Sequence, residues 1–173
     1  MCIRIELVTE NMYPEIHHFE MKNKAFFESI LPPRPVTYQQ LDTFKTVMAS
    51  LLSEQQNGLF YMYVIRDEKD AFIGRINLQM IRSENSIKAE LGYRVDFNEQ
   101  GKGYTSQAIK LILKAAFELY KVDEVIAGTS KENIASQRVL EKNGFEKIGE
   151  EENVMRVNGE WVDGILYAIR NIE

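Results

Sequence analysis

A glycine-rich turn, Gln100-Gly101-Lys102-Gly103, connects a segment with strand character directly to a segment with helix character. This feature constrains the fold most, because a helix that begins right after a turn leaves its first backbone N–H groups without intrahelical partners. These groups point towards one place, and the positive end of the helix dipole lies behind them. Glycine lets a ligand approach the backbone closely, so the pattern indicates a phosphate or pyrophosphate site. A strand–helix turn that only needs a flexible backbone would show the same pattern.

Two common nucleotide-binding motifs do not fit this turn. A P-loop needs four residues between its first glycine and a Gly-Lys-Ser/Thr sequence, and that spacing is absent. A Rossmann turn has its third glycine where Ser106 stands, and it belongs to a parallel βαβ unit. The strands before this turn predict an antiparallel arrangement, so neither motif is supported.

Length and charge limit the class of protein. The chain has 173 residues and a formal net charge of −5, so we expect a single domain over residues 1–173. The acidic balance disfavours direct nucleic-acid binding, which needs a basic face, and it leaves room for a cationic partner. The longest apolar run, 59–65, is far shorter than the roughly 20 residues of a membrane helix. The start of the chain lacks a signal-peptide pattern, and the lone Cys2 cannot form an internal disulfide, which suits the cytoplasm.

The first third of the chain predicts a strand followed by helices. Apolar and polar residues alternate over 3–7, which indicates the strand. Residues 9–30 have helical character in pieces, and the proline-rich segment 31–35 interrupts it. Thr37-Tyr38-Gln39-Gln40 matches a capping box, so we expect an amphipathic helix over 38–56.

The remaining pattern completes an α+β layout. Short polar turns join three strand candidates, which predicts an antiparallel meander over 59–66, 72–81 and 87–95. After Gly103 one helix face is apolar, and its members are Ala108, Ile109, Ile112, Ala116 and Leu119. We then expect a strand over 124–127, a helix over 133–142 and a strand that Gly144-Phe145 opens. An Asn158-Gly159 hairpin turn leads into the last strand, over 161–169.

Two segments resemble the GNAT N-acetyltransferases. Gln100-Gly101-Lys102-Gly103-Tyr104-Thr105 resembles the family's Gln/Arg-x-x-Gly-x-Gly/Ala acyl-CoA signature, with Thr105 in place of the last small residue. Residues 133–145, from Asn133 through Glu141-Lys142 to Gly144-Phe145, resemble the Asn-x-x-Ser…Glu-Lys-x-Gly-Phe segment of the RimJ/RimL-type branch. The flanking segments 89–93 and 161–163 are also similar to that branch. The resemblance implies a mixed, mostly antiparallel sheet flanked by helices, with strands 4 and 5 splayed to admit acyl-CoA.

The resemblance also implies which residues hold acetyl-CoA. The backbone of Tyr93 to Val95 would pair with the pantetheine arm, and one of its N–H groups would polarise the thioester carbonyl. The turn that Gln100 opens would hold the pyrophosphate through the amides of Gly101, Lys102, Gly103, Tyr104 and Thr105. Asn133 would contact the cofactor, and it is also a good helix cap. No cysteine–histidine cluster has metal-ligand spacing, so no metal is expected.

Two residues are candidates for proton transfer. Many relatives carry a tyrosine acid seven residues after this asparagine, but Leu140 stands there. By its similarity to the RimJ/RimL type, Ser136 would donate to the departing sulfur; the alternative is a small packing residue. The acceptor amine must lose a proton to attack, and Glu90 is the candidate base. The alternative for Glu90 is an exposed glutamate paired with a neighbouring lysine.

The resemblance implies an acetyl-CoA-dependent N-acetyltransferase, and we expect direct attack in a ternary complex because no residue stands out as a covalent nucleophile. The resemblance favours a protein or peptide N-terminus as the amine acceptor, such as that of a ribosomal protein. The rival acceptors are small amines: a polyamine, an amino acid or an antibiotic. A rival of another class is a non-catalytic acyl-CoA-binding module. We expect a cytoplasmic protein with no membrane partner, and a homodimer is left open.

Overall fold

The computed structural model describes residues 2–172, and within this range seven strands form one sheet in the order β1-β2-β3-β4-β5-β7-β6. The strands are β1 Arg4–Leu7, β2 Phe60–Arg66, β3 Phe72–Arg82, β4 Ile87–Val95, β5 Glu124–Ser130, β6 Glu146–Val157 and β7 Glu160–Arg170. The helices are α1 Tyr13–Lys22, α2 Lys24–Ile30, α3 Leu41–Gln56, α4 Tyr104–Lys114 and α5 Ile134–Lys142. Neighbouring strands are antiparallel except β4 and β5, which are parallel.

Alternation along the strands sorts the side chains onto two faces. On one face, Leu91 of β4 packs with Ile109 of α4 and Leu140 of α5. On the other face, Met62 of β2 packs with Ile16 of α1 and Phe44 of α3. Each face buries its own apolar cluster, which drives both helical layers onto the sheet. We call these sides the α4–α5 face and the α1–α3 face.

The sheet opens between β4 and β5, as the resemblance implied. The two strands pair only at Lys88–Glu124, Ala89–Val125 and Glu90–Ile126. Beyond Glu90, β4 continues to Val95 without pairing with β5, and β5 continues to Ser130 while its other edge pairs with β7 along its whole length. Residues 91–95 therefore have no strand on their β5 side within the described chain, and this leaves backbone groups available to a ligand.

The meander and the last hairpin confirm the sequence predictions. The register pairs β2 with β3 and β3 with β4, antiparallel throughout. Asn158 and Gly159 have φ of 53° and 78°, and positive values at both positions are what a type I′ hairpin turn requires. β5 runs to Ser130, three residues past its predicted end, because Ser130 still pairs with Gly164 of β7.

Two helix predictions were wrong. α3 begins at Leu41 rather than at residue 38, because Val36–Tyr38 form a separate 3₁₀ turn. The capping box does not form: no side chain caps α3, and the hydroxyl of Thr43 donates to the Thr37 carbonyl at 2.6 Å. Leu119 is 66% exposed, because Ala115–Leu119 form a wider π-helical turn that rotates it off the apolar face.

Within residues 2–172, no helix has both the length and the apolarity to cross a membrane.

Candidate active site

A buried aspartate fixes the start of the glycine-rich turn. Asp96 accepts hydrogen bonds from the Lys22 ammonium at 2.8 Å, the Asn23 amide at 3.2 Å and the backbone N–H of Asn98 at 2.9 Å. Burial raises the pKa of Asp96, but these bonds outweigh it and the net shift is downward. The carboxylate therefore stays charged and ties the end of α1 to the end of β4.

The turn itself leaves open space above two glycines. Gly101 and Gly103 have φ of 74° and 80°, and no heavy atom beyond the adjoining residues lies within 4 Å of where their Cβ atoms would stand. The side-chain amide of Gln100 folds back and donates to the carbonyls of Val95 at 2.8 Å and Asp96 at 3.3 Å. This contact shapes the turn, so Gln100 acts on its geometry. The exposed Lys102 ammonium pairs with Glu99 at 2.9 Å.

The first turn of α4 faces the same space. Gly103 is its N-cap residue, and no side chain caps the helix. The Tyr104 side chain is buried in the core, so its backbone amide is the part that a ligand can use; Thr105 is half-buried. With the dipole of an 11-residue helix behind them, these amides form a suitable site for an anion.

A hydrogen bond joins β4 to α5 on the α4–α5 face. The hydroxyls of Tyr93 and Ser136 lie 2.5 Å apart, and the Asn133 side chain accepts from the Ser136 N–H at 3.1 Å. Asn133 therefore caps α5 and presents Ser136 to the open part of the sheet. Burial raises the pKa of Tyr93, partly offset by its bond to Ser136, so its phenol is protonated at neutral pH and can donate.

The side chain of Tyr93 is a candidate that the sequence analysis missed. The resemblance implies a role for its backbone at the pantetheine arm and none for its hydroxyl. Strand alternation was the available signal, because it places Tyr93 on the same face as Leu91 and Val95, beneath α4. Val95 is buried, so only its backbone can reach a ligand.

Glu90 lies on the opposite side, the α1–α3 face of β4. It is exposed, and no described residue forms an ion pair or hydrogen bond with its side chain. The expected alternative, a neighbouring lysine, is wrong because Lys88 pairs with Glu124 at 3.1 Å. Gly92 follows on the same face with open space where its Cβ would stand. Glu90 and Ser136 thus lie on opposite faces of β4, one on each side of the opening.

An open cavity of about 500 Å³ adjoins the N-terminus of α5. The end of α2, Asn133 and the β6–β7 hairpin line it. Trp161 of that hairpin is 59% exposed and lies under the Arg156 guanidinium, 5.7 Å from the ring centre. Tyr167 is buried and donates to Glu141 at 3.0 Å, so it belongs to the core.

Among residues 2–172, no group of three or more His, Cys, Asp or Glu side chains could hold a metal.

Comparison with known proteins identifies the family. A family model described as an acetyltransferase (GNAT) domain matches residues 3–146. The probable N-acetyltransferase YjcK of Bacillus subtilis is 30% identical over 155 residues, which cover 88% of this chain and 84% of the relative. The ribosomal-protein-serine acetyltransferase of Escherichia coli is 28% identical over 166 residues, which cover 96% and 91%.

Solved structures show the same fold. The ribosomal-protein-S5-alanine acetyltransferase from Vibrio fischeri superposes with a TM-score of 0.92 at 23% identity, covering 99% of this chain and 94% of that one. RimL, a ribosomal L7/L12 alpha-N-protein acetyltransferase in complex with coenzyme A, gives 0.88 at 24% identity, covering 97% and 93%. With the glycine-rich turn and the opened sheet, these matches show that the chain belongs to the GNAT family of acetyl-CoA-dependent N-acetyltransferases and is similar to the RimJ/RimL-type members.

Proposed function

We propose that this enzyme acetylates the N-terminal α-amine of a protein, of the ribosomal-protein type, by direct attack in a ternary complex. The observation that carries the proposal is the division of polar groups across the opening of β4. A hydroxyl pair, Tyr93 and Ser136, lies on one face, and an unpaired carboxylate, Glu90, lies on the other. This arrangement suits a thioester that leaves on one side and an amine that arrives from the other.

The cofactor would enter from the α4–α5 face. The amides of 101–105 would hold the pyrophosphate, and the unpaired edge of 91–95 would pair with the pantetheine arm as an added strand. Asn133, at the edge of the neighbouring cavity, would contact the cofactor. An N–H group between Tyr93 and Val95 would stabilise the tetrahedral oxyanion, since a fixed donor is most effective as charge develops.

Proton transfer would use both faces. On the α1–α3 face, Glu90 would take the proton of the incoming amine, directly or through water. On the α4–α5 face, Ser136 would donate to the sulfur as the thiolate develops, and Tyr93 would hold the serine hydroxyl in place. No covalent acyl-enzyme is needed, because the amine attacks the thioester itself.

An N-terminal amine fits this site better than a lysine side chain. Its reference pKa is about 7.7–8.0 against about 10.4 for lysine, so a larger fraction is neutral at pH 7. That relaxes the demand on an exposed base such as Glu90. The E. coli relative is named for a ribosomal-protein serine, and the net charge of −5 suits a basic partner. Such an acceptor would place the enzyme in the cytoplasm.

A polyamine is the competing acceptor, and the α1–α3 face argues against it. Arg34, Arg75 and Arg94 surround the single carboxylate of Glu20 beside the acceptor side of β4. This excess of positive charge would repel a polycation. Peptides that begin with Ala or Ser should therefore exceed spermidine and free lysine in kcat/KM. If a polyamine or an antibiotic amine is the better substrate by tenfold or more, the proposed acceptor is wrong while the acetyltransferase family stands.

A further inference from the structure

Three arginines converge on one buried carboxylate in the α1–α3 layer. Glu20 is 2% exposed; Arg75 donates to it at 2.7 Å and Arg34 at 2.9 Å. Arg94 stays farther away, with 3.8 Å between its Nη1 and the carboxylate. Burial raises the pKa of Glu20, but Arg75 and Arg34 outweigh it and shift it down. One carboxylate thus faces three guanidinium groups.

Arg94 is the least satisfied of these three guanidinium groups. It lies over the Phe27 ring at 5.0 Å, and it donates no hydrogen bond to any residue in the described range. Its cross-strand partner on β3 is Arg75, and like charges in that position repel. Arg75 is itself 3% exposed, and its Nε has no hydrogen-bond partner. Burial, together with repulsion from Arg34 and Arg75, lowers the pKa of Arg94 to about 10.

Arg94 lines an open cavity of about 370 Å³ between α1, α2 and the segment 34–39. Two other cations line this cavity, and both have partners: Arg34 is held by Glu20, and Lys24 pairs with Glu28 at 3.1 Å. The planar fork of Arg94 is therefore the cation of this cavity, among the described residues, that donates no hydrogen bond within the protein. An arginine fork of this kind matches a carboxylate with two parallel hydrogen bonds.

The position of the cavity relates it to the acceptor amine. Glu90, Gly92 and Arg94 lie on the same face of β4, and Gly92 leaves the space between the other two open. Four residues of strand separate the Cα atoms of Glu90 and Arg94 by about 13 Å. An extended peptide covers that distance in about four residues. A free amino acid is too short to reach both.

We propose that the Arg94 cavity binds the carboxylate of an aspartate or glutamate at one of the second to fourth positions of the acceptor chain. The inference rests on the proposed function, because it takes the amine to lie near Glu90. The substrate class is thereby narrowed to peptides that have a free N-terminal amine and carry an acidic residue at the second, third or fourth position. The acidic side chain would accept hydrogen bonds from the N–H groups of Arg94, and it would offset the positive charge that Glu20 alone does not neutralise.

The test uses peptide pairs of equal length that begin with Ser and differ only by Glu or Gln at position 2, 3 or 4. For the best position, we expect the wild-type enzyme to prefer the Glu peptide by about tenfold in kcat/KM, as for one charge-assisted hydrogen bond. Arg94→Gln should bring the two peptides to equal kcat/KM, and Arg94→Lys should retain part of the preference. Arg82→Gln removes an exposed guanidinium at the far end of β3 and should keep the full preference.

Equal rates for the Glu and Gln peptides at all three positions in the wild type would overturn the inference without any variant. A measurement of peptide binding without turnover tests this inference separately from the proposed function. N-acetylated product peptides are titrated into the CoA complex by calorimetry, which needs no turnover. If the Glu product binds more tightly through Arg94 but no peptide is acetylated, the cavity stands and the proposed acceptor falls. If the peptides are acetylated at the N-terminus without any Glu preference, the proposed acceptor stands and the inference about the Arg94 cavity falls.

Discussion

Gly103→Asp tests whether the turn before α4 holds the pyrophosphate of acetyl-CoA. Gly103 has φ of 80°, and a Cβ there would meet no heavy atom within 4 Å beyond the adjoining residues. A side chain at this position therefore enters the proposed ligand space and not the protein. The left-handed backbone costs a non-glycine residue about 1–2 kcal/mol. A domain with about 5–15 kcal/mol of stability stays folded after that loss.

The expected loss of CoA affinity in Gly103→Asp follows from the repulsion between the new carboxylate and the pyrophosphate. Two like charges about 4 Å apart near a protein surface repel by about 4 kcal/mol, roughly a thousandfold in affinity. In the wild type, CoA at a hundred times its Kd adds about 2.7 kcal/mol of stability. For a domain of this size that raises Tm by about 5–11 °C. A thousandfold weaker complex loses almost the whole shift at the same CoA concentration.

Thermal unfolding with and without CoA measures both quantities, and Gly103→Asn is the matched control. Asn has nearly the size of Asp and tolerates the same backbone conformation, but it carries no charge. We expect Gly103→Asn to keep a large part of the CoA shift and Gly103→Asp to lose it. A full shift in Gly103→Asp, or equal losses in both variants, would refute the anion site at this turn.

Three further predictions concern proton transfer and the arginine cluster. Ser136→Ala should lower kcat with little change in the Kd of CoA, and Tyr93→Phe should do so to a smaller extent; wild-type rates in both would remove the hydroxyl pair from the mechanism. Glu90→Gln should reduce kcat/KM most at neutral pH and less at alkaline pH, where the amine is already neutral; a uniform loss across a pH–rate profile would exclude the base role. Glu20→Gln leaves three arginines without their carboxylate, so urea unfolding at pH 7 should show a loss of about 3–5 kcal/mol. The pKa of Glu20 is lowered below its ordinary value of 4.5. Its contribution is therefore complete above that value and disappears as pH falls through the lowered pKa, so Glu20→Gln should weaken the acid dependence of stability.

The order of elements could be predicted from the sequence because local signals agreed. Alternation, polar turns and the Asn158-Gly159 pair all favour the strands and hairpin that form. The predicted start of α3 failed where two local options compete. Thr37 could begin a helix as its cap residue. In the structure it lies within the 3₁₀ turn Val36–Tyr38, and its carbonyl accepts a hydrogen bond from the Thr43 hydroxyl. Leu119 failed because a π-helical turn changes the helical period.

The contacts that define the site depend on long-range register. Tyr93 meets Ser136 only because the sheet places β4 beside β5 and α5 covers the opening. Arg94 stands opposite Arg75 only because the turn at 83–86 sets the β3–β4 register. A shift of one residue would move either side chain to the other face. Sequence motifs could therefore predict a glycine-rich turn that leads from β4 into α4, but not the polar groups on the two sides of the opening.

The position of the transferred acetyl group tests the central claim most directly. A peptide with an N-terminal Ser and one internal Lys offers both kinds of amine to the same enzyme. After incubation with acetyl-CoA, fragmentation by tandem mass spectrometry assigns the modified nitrogen. We expect the acetyl group on the α-amine and an unmodified lysine. Acetylation of the lysine side chain, with a free N-terminus, would contradict the account.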